Sequence, residues 1–236
     1  MNAEKLSKRL DAVANNIQLG ARLADIGSDH AYLPCYAIKK GIVSSAIAGE
    51  VADGPYHSAL EQVEAEELAD KITVRKGDGL EVIMPNEVDC ITIAGMGGTL
   101  ISNILDRGKA KLGGVHRLVL QPNVGSFAIR SWLIDNRWEL IKEEILKEDG
   151  KIYEILVAEK GEPLKPYQGR NLEEGILFGP FLLTLKSQVF KDKWILEKKN
   201  WERILKQLDE AVQNEDTASR RVELEKKIRM AEEALS

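Results

Sequence analysis

Five short apolar runs recur through the first half of the chain, each ended by a turn-forming or acidic residue. They are Leu23–Ile26, Val43–Val51, Lys71–Arg75, Val88–Ala94 and Leu118–Leu120. Helical patterns lie between them, as over Gly54–Ala69 and Thr99–Leu112. Strand and helix in alternation predict a parallel, doubly wound α/β sheet, because parallel neighbours need a crossover that covers a sheet face. A helix is predicted over Leu6–Ile17, with Leu6, Leu10, Val13 and Ile17 on one face and Lys5, Lys8 and Arg9 exposed.

The rhythm then breaks. Trp138–Lys147 and Lys151–Glu159 are strand-like and are joined by Glu148–Asp149–Gly150, a hairpin signal. Gly161–Asn171 holds two prolines and reads as a linker. Beyond it, Gly179–Pro180 suits a helix start. Trp194, Trp201, Leu205, Leu208 and Val212 keep seam spacing, as do Leu224, Ile228, Ala231 and Leu235, with polar turn residues over Asn214–Ser219. The expectation is a sheet domain over residues 1–162 and a helical hairpin or coiled-coil domain over 163–236.

Composition excludes several classes. No apolar run approaches the roughly 20 residues that a bilayer requires, and the amino-terminal stretch has no secretory h-region. Cys35 and Cys90 form no CxxC pair, so neither a metal site nor a disulfide framework is expected. A reducing, cytoplasmic setting and a monomer fit. The net charge of −5 argues against non-specific nucleic-acid binding. That charge lies in the first 164 residues; from Lys165 onward fourteen basic residues face thirteen acidic ones.

The chemistry concentrates after the strands. Asp25–Ile26–Gly27–Ser28–Asp29–His30–Ala31 sits where the first strand turns into a helix. Gly27 permits a tight turn and close approach of a ligand. A dinucleotide fingerprint needs glycine at the place of Asp29, so that pyrophosphate can rest on the helix N-terminus. A carboxylate there repels phosphate and attracts the sulfonium and ammonium of S-adenosylmethionine (SAM). Glu50, 25 residues after Asp25, can accept from ribose hydroxyls. Asp78, between Gly77 and Gly79, can accept from an adenine amine. Each acid alone could merely cap a helix or form a turn; their joint spacing favours a cofactor site. The expected outline is therefore a Rossmann-like class I methyltransferase sheet, five parallel strands plus a hairpin, with SAM as cofactor.

Gly95–Met96–Gly97–Gly98 follows the fourth strand, at the rim facing the methyl group in class I enzymes. It lacks the Asn/Asp-Pro-Pro-aromatic clamp of many exocyclic-amine methyltransferases, and its glycines would let backbone approach a flat substrate. A tight turn is the plainer reading. Gln121–Pro122–Asn123 brings two amides to the same rim, where one could pair with an adenine edge; Asn123 could equally cap the next helix. Cofactor contacts are expected from Asp25, Gly27, Ser28, Asp29, His30, Glu50, Val51, Asp78, Gly79, Ala94, Gly95 and Met96, and catalytic roles from Asp29, Gly97 and Asn123. His57 and His116 are isolated, Cys35 reads as core, and the tail tryptophans read as packing residues.

These motifs resemble one family. LADIGSDHAYLP (Leu23–Pro34), GEVADGP (Gly49–Pro55), IAGMGG (Ile93–Gly98) and LQPN (Leu120–Asn123) are similar to the bacterial tRNA adenine-N1 methyltransferases that modify adenine 22. The likeness extends over nearly the whole chain. It implies a SAM-binding domain, a coiled-coil domain that helps hold tRNA, and methyl transfer to N1 of an adenine near the D-arm corner. Asp29 would then orient the base and stabilise developing positive charge. Lys5, Lys8, Arg9, Lys198, Lys199 and Arg203 are expected at RNA phosphates, or else on a solvated helix face. Two rivals stand beside this reading. One is a methyltransferase of a small molecule or protein, with the tail as a dimerisation device. The other is a non-catalytic SAM-binding interaction module.

Overall fold

The computed structural model describes residues 3–210 and 214–236, which divide between Gly169 and Arg170 into two compact units. The first is built on one sheet of β1 (Ala21–Ile26), β2 (Val43–Glu50), β3 (Ile72–Lys76), β4 (Cys90–Gly97), β5 (Arg117–Val124), β6 (Trp138–Glu148) and β7 (Lys151–Lys160). Their order across the sheet is β3-β2-β1-β4-β5-β7-β6. The first five strands are parallel, and β7 runs antiparallel to both neighbours. The helices of this unit are α1 (Lys8–Ala14), α2 (Tyr32–Lys39), α3 (Asp53–Ala65), α4 (Gly98–Arg107) and α5 (Ser126–Asp135).

Leu23, Ala24 and Ile26 of β1 and Leu118, Val119 and Leu120 of β5 are all buried. Central strands covered on both faces read as unbroken apolar runs, which made them visible in the sequence. Asp149 (φ 48°) and Gly150 (φ 76°) both adopt left-handed backbone, as a two-residue hairpin turn requires. The hairpin folds back so that its second strand, not its first, pairs with β5.

Two strand ends depart from expectation. β4 continues through Gly97, with a register irregularity between Ala94 and Met96, so Gly95–Met96–Gly97 is a bulged strand end rather than a loop. β5 likewise continues through Gln121–Pro122–Asn123 to Val124. Proline is tolerated at such a bulged position because an irregular ladder omits a backbone donor. α1 is also shorter than Leu6–Ile17, although Leu6, Val13 and Ile17 are buried as the pattern predicts.

The second unit contains α6 (Leu172–Phe178), α7 (Pro180–Leu185), α8 (Gln188–Glu210) and α9 (Glu215–Leu235). Lys198 pairs with Glu232, and Asp209 with Arg221, which fixes α8 and α9 as an antiparallel hairpin. Phe178 and Trp194 meet edge to face with centroids 4.5 Å apart, and Phe190 and Trp201 adjoin them. The tail tryptophans are thus packing residues. Asn214 caps α9 through the Thr217 N–H, so residues 215–219 belong to the helix rather than a turn. On α9, Leu224, Ala231 and Ala234 are buried and Leu235 only partly so. Val212 lies outside the described residues. Residues 163–169, expected within the helical domain over 163–236, group with the first unit, where Tyr167 is buried.

Candidate active site

From β1 the chain proceeds outward to β2 and β3, then crosses to the other flank of β1 for β4. The crossovers diverge there, leaving a crevice beyond the carboxyl ends of β1 and β4. A cavity of about 310 Å³ occupies it, lined by Asp25, Gly27, Ser28 and Asp29 on one side and Arg9, Gly95, Asn123 and Tyr153 on the other.

The β1 side is an unusual piece of backbone. Gly27 (φ 69°), Asp29 (φ 44°), His30 (φ 67°) and Ala31 (φ 52°) are all left-handed. Aspartate and histidine tolerate that region better than most residues, whereas Ala31 is held there by complete burial. The φ of 69° at Gly27 favours glycine, and a Cβ there would also have to displace the flexible tip of Met96.

Asp25 is 3% exposed and accepts hydrogen bonds from Ser28 Oγ and Thr92 Oγ1, both at 2.6 Å. Burial pushes its carboxyl above the ordinary range, and the two hydroxyls oppose that shift. Glu50, 5% exposed, accepts the Asp29 N–H through Oε1. Its other oxygen is engaged by none of the described residues. Burial raises the Glu50 carboxyl as well, with the Asp29 N–H pulling it down. Two buried carboxylates with spare acceptor capacity fit a cationic, hydroxyl-rich ligand such as SAM and disfavour a phosphate.

The Asp29 side chain is 76% exposed and faces the cavity mouth, with His30 Nε2 3.7 Å away. His30 stacks on Tyr32. Val51 is exposed just past β2. Asp78 is outside the cavity lining: it caps a short 3-10 turn and pairs with Arg107 at 2.7 Å. Gly79 (φ 57°) starts that turn against Ile104.

On the opposite wall, Gln121 is fully buried. Its Oε1 accepts from the Gly95 N–H at 3.0 Å and from Arg9 Nη1 at 2.5 Å, and its Nε2 donates to the Pro122 carbonyl at 2.8 Å. An amide so engaged is not presented to an adenine edge. Asn123 Nδ2 donates to the Gly95 carbonyl at 2.7 Å. It caps no helix: α5 begins after Gly125 with no side-chain cap. Ala94, Gly95 and Met96 line the cavity, and Gly97 lies just beyond them.

The six basic residues expected at phosphates are placed differently from one another. Lys5, Lys8, Lys199 and Arg203 are exposed. Lys198 is bound to Glu232 at 2.8 Å. Arg9 is not on an outer face but lines the cavity, its guanidinium 5.4 Å from the Tyr153 ring centroid. The sequence reading missed Thr92 and Tyr153. Thr92 had a signal, because a hydroxyl inside a buried apolar run requires a partner. Tyr153 had none, since it shares its alternation with ordinary hairpin residues.

A 3-2-1-4-5-7-6 sheet with acids gathered at its switch point is the architecture of a class I SAM-dependent methyltransferase. The family model described as tRNA (adenine(22)-N(1))-methyltransferase matches residues 23–233, and the chain belongs to that family. It is 51% identical to the tRNA (adenine(22)-N(1))-methyltransferase of Bacillus subtilis, across 100% of this chain and 99% of that protein. The crystal structure of the B. subtilis m1A22 tRNA methyltransferase TrmK superposes with a TM-score of 0.95 at 50% identity, covering 99% of this chain and 100% of that one. Sp1610 of Streptococcus pneumoniae, solved in complex with SAM, gives 0.87 at 43% identity, covering 98% and 100%.

Proposed function

We propose that this protein transfers a methyl group from SAM to N1 of adenine 22 in tRNA. The observation that carries the proposal is the acid-lined cavity at the β1/β4 switch point, in a chain of this family. SAM supplies, when bound, an electrophilic methyl group on a sulfonium. Asp25, Gly27 and Ser28 would hold the amino-acid end of the cofactor, and Glu50, next to Val51, its ribose. Asp78 and Gly79 are proposed for the adenine side, which requires Asp78 to exchange part of its pairing with Arg107.

Adenine N1 carries an in-plane lone pair, so no residue need remove a proton before attack. The protein's work is orientation and charge stabilisation. Asp29 faces the place where positive charge develops on the base. Asn123, whose Nδ2 is tied to Gly95, keeps its oxygen to accept from the exocyclic amine. Gly97, lacking a side chain, leaves room beside it. Because N1 is on the pairing edge, the base must be unpaired or extruded to enter. Lys5, Lys8, Lys199 and Arg203 are proposed at phosphates, with the helical unit, residues 170–236, gripping tRNA. Among the described residues no helix is long and apolar enough to cross a membrane. We infer a cytoplasmic monomer that uses no metal.

The test is methyl transfer from labelled SAM to unmodified tRNA, followed by nucleoside analysis. 1-Methyladenosine at position 22 supports the assignment. Label in another nucleoside or position, or none with SAM bound, overturns it.

A further inference from the structure

The most informative residue outside the cofactor wall is Arg9. It comes from α1, before the sheet begins, yet two contacts fix it inside the cavity. Nη1 donates to Gln121 Oε1 at 2.5 Å, and the guanidinium carbon lies over the Tyr153 ring, 5.4 Å from its centroid. The backbone holds the base of this side chain equally firmly. The Lys8 and Arg9 N–H groups both donate to Glu148 on β6, at 2.6 and 3.2 Å. A cation tethered at both ends is badly suited to following a mobile phosphate. A guanidinium held over an aromatic ring, in the cavity that Asp25 and Asp29 also line, is well suited to carry a purine, which stacks on guanidinium planes.

We propose that Arg9 is the contact that receives the acceptor base: the extruded adenine lies on its guanidinium plane. Gln121 is the positioning residue that aims this plane and the Gly95 bulge through one shared oxygen. The inference rests on the tRNA methyltransferase reading and adds the residue that receives the base.

The test compares wild-type, Arg9→Lys, Arg9→Ala, Gln121→Ala and Arg9→Ala/Gln121→Ala proteins. It measures kcat/KM on unmodified tRNA at several salt concentrations, and SAM affinity by calorimetry. Arg9→Lys keeps the charge and loses the plane. It is expected to lower kcat/KM by about 10-fold or more, with SAM affinity and the salt slope unchanged. Gln121→Ala is expected to cost less in the Arg9→Ala background than in the wild type, because part of its effect passes through Arg9 and only the rest through the Gly95 bulge. Wild-type activity in Arg9→Lys, with a shallower salt slope in Arg9→Ala, would make Arg9 a phosphate contact and overturn the proposal. A matching loss of SAM affinity, or additive losses in the double variant, would overturn it too. If the wild-type protein forms no 1-methyladenosine, the activity reading fails first and this one with it.

Discussion

The carboxylate of Glu50, at the end of β2, accepts the backbone N–H of Asp29 in the loop after β1. One acid thus braces the left-handed loop that carries the other. Glu50→Gln keeps an oxygen for that N–H but loses the second acceptor proposed for ribose. SAM affinity is expected to fall about 10-fold or more. Stability without ligand should hold or rise, since a buried carboxylate is replaced by a neutral amide. Calorimetric titration and thermal melts check both; unchanged SAM affinity would leave Glu50 as a brace only.

Asp29 is best tested as Asp29→Asn, because asparagine accepts left-handed backbone as readily as aspartate and alanine does not. If its charge stabilises the cation forming on the base, turnover should drop about 100-fold while SAM affinity changes less than about 3-fold. Single-turnover rates beside equilibrium SAM binding separate the two. Equal losses would confine Asp29 to cofactor binding.

What was legible in the sequence follows from what burial does to composition. Strands covered on both faces show as apolar runs, and Asp149–Gly150 announced the hairpin turn. Of the acids read after the strands, Asp25 and Asp29 line the cavity, whereas Asp78 pairs with Arg107 and Glu50 stands outside the lining, bound to the Asp29 N–H. The opposite wall was not legible. Arg9 looks like any cation on an amphipathic helix, and only the fold brings it to Gln121, 112 positions away in sequence. The extension of β4 and β5 through glycine and proline was hidden because local propensity opposes strand there, and pairing between the two strands overrides it.

SAM binding should depend on pH through Asp25. Burial raises its carboxyl in the fold. Such a group contributes stability that is full below the unfolded value of about 3.9 and is lost as pH rises through the folded value. A ligand ammonium favours the charged form, so affinity for SAM should tighten as pH climbs through that window. Asp25→Asn should bind SAM more weakly and keep only the part of the dependence that comes from Glu50, whose carboxyl burial also raises. Titrations from about pH 4 to 7 show it; a flat wild-type profile would count against Asp25 as the ammonium partner.

Gly97 and Gly98 are neighbours with opposite expectations. A Cβ on Gly98 would sit 2.0 Å from the Gly125 carbonyl oxygen, whereas nothing lies within 4 Å of one on Gly97. Gly98→Ala should destabilise the fold by about 3 kcal/mol. Gly97→Ala should keep stability within about 0.5 kcal/mol yet lose turnover, if the base passes beside it. Urea unfolding and initial rates decide; full activity in Gly97→Ala would remove it from the transfer site.

Away from the cavity, Arg130 of α5 is fully buried between two carboxylates. It meets Glu143 of β6 at 2.7 Å and Glu154 of β7 at 3.0 Å. Burial opposes its charge, but the two acids outweigh it and hold the guanidinium protonated at any ordinary pH. The cluster joins α5 to both strands of the hairpin, and so fixes β7 in the slot beside β5. Arg130→Met fills similar volume but removes the guanidinium with which both buried acids pair. Breaking such a cluster costs about 3–5 kcal/mol, so this variant should lose most of its stability to urea at neutral pH. It should recover part of it in mild acid, where the acids can take up a proton. The triple replacement of Arg130, Glu143 and Glu154 by apolar residues removes the unpaired charge and should be more stable than Arg130→Met alone. If the single variant unfolds at the wild-type urea concentration, the cluster does not hold the hairpin in place.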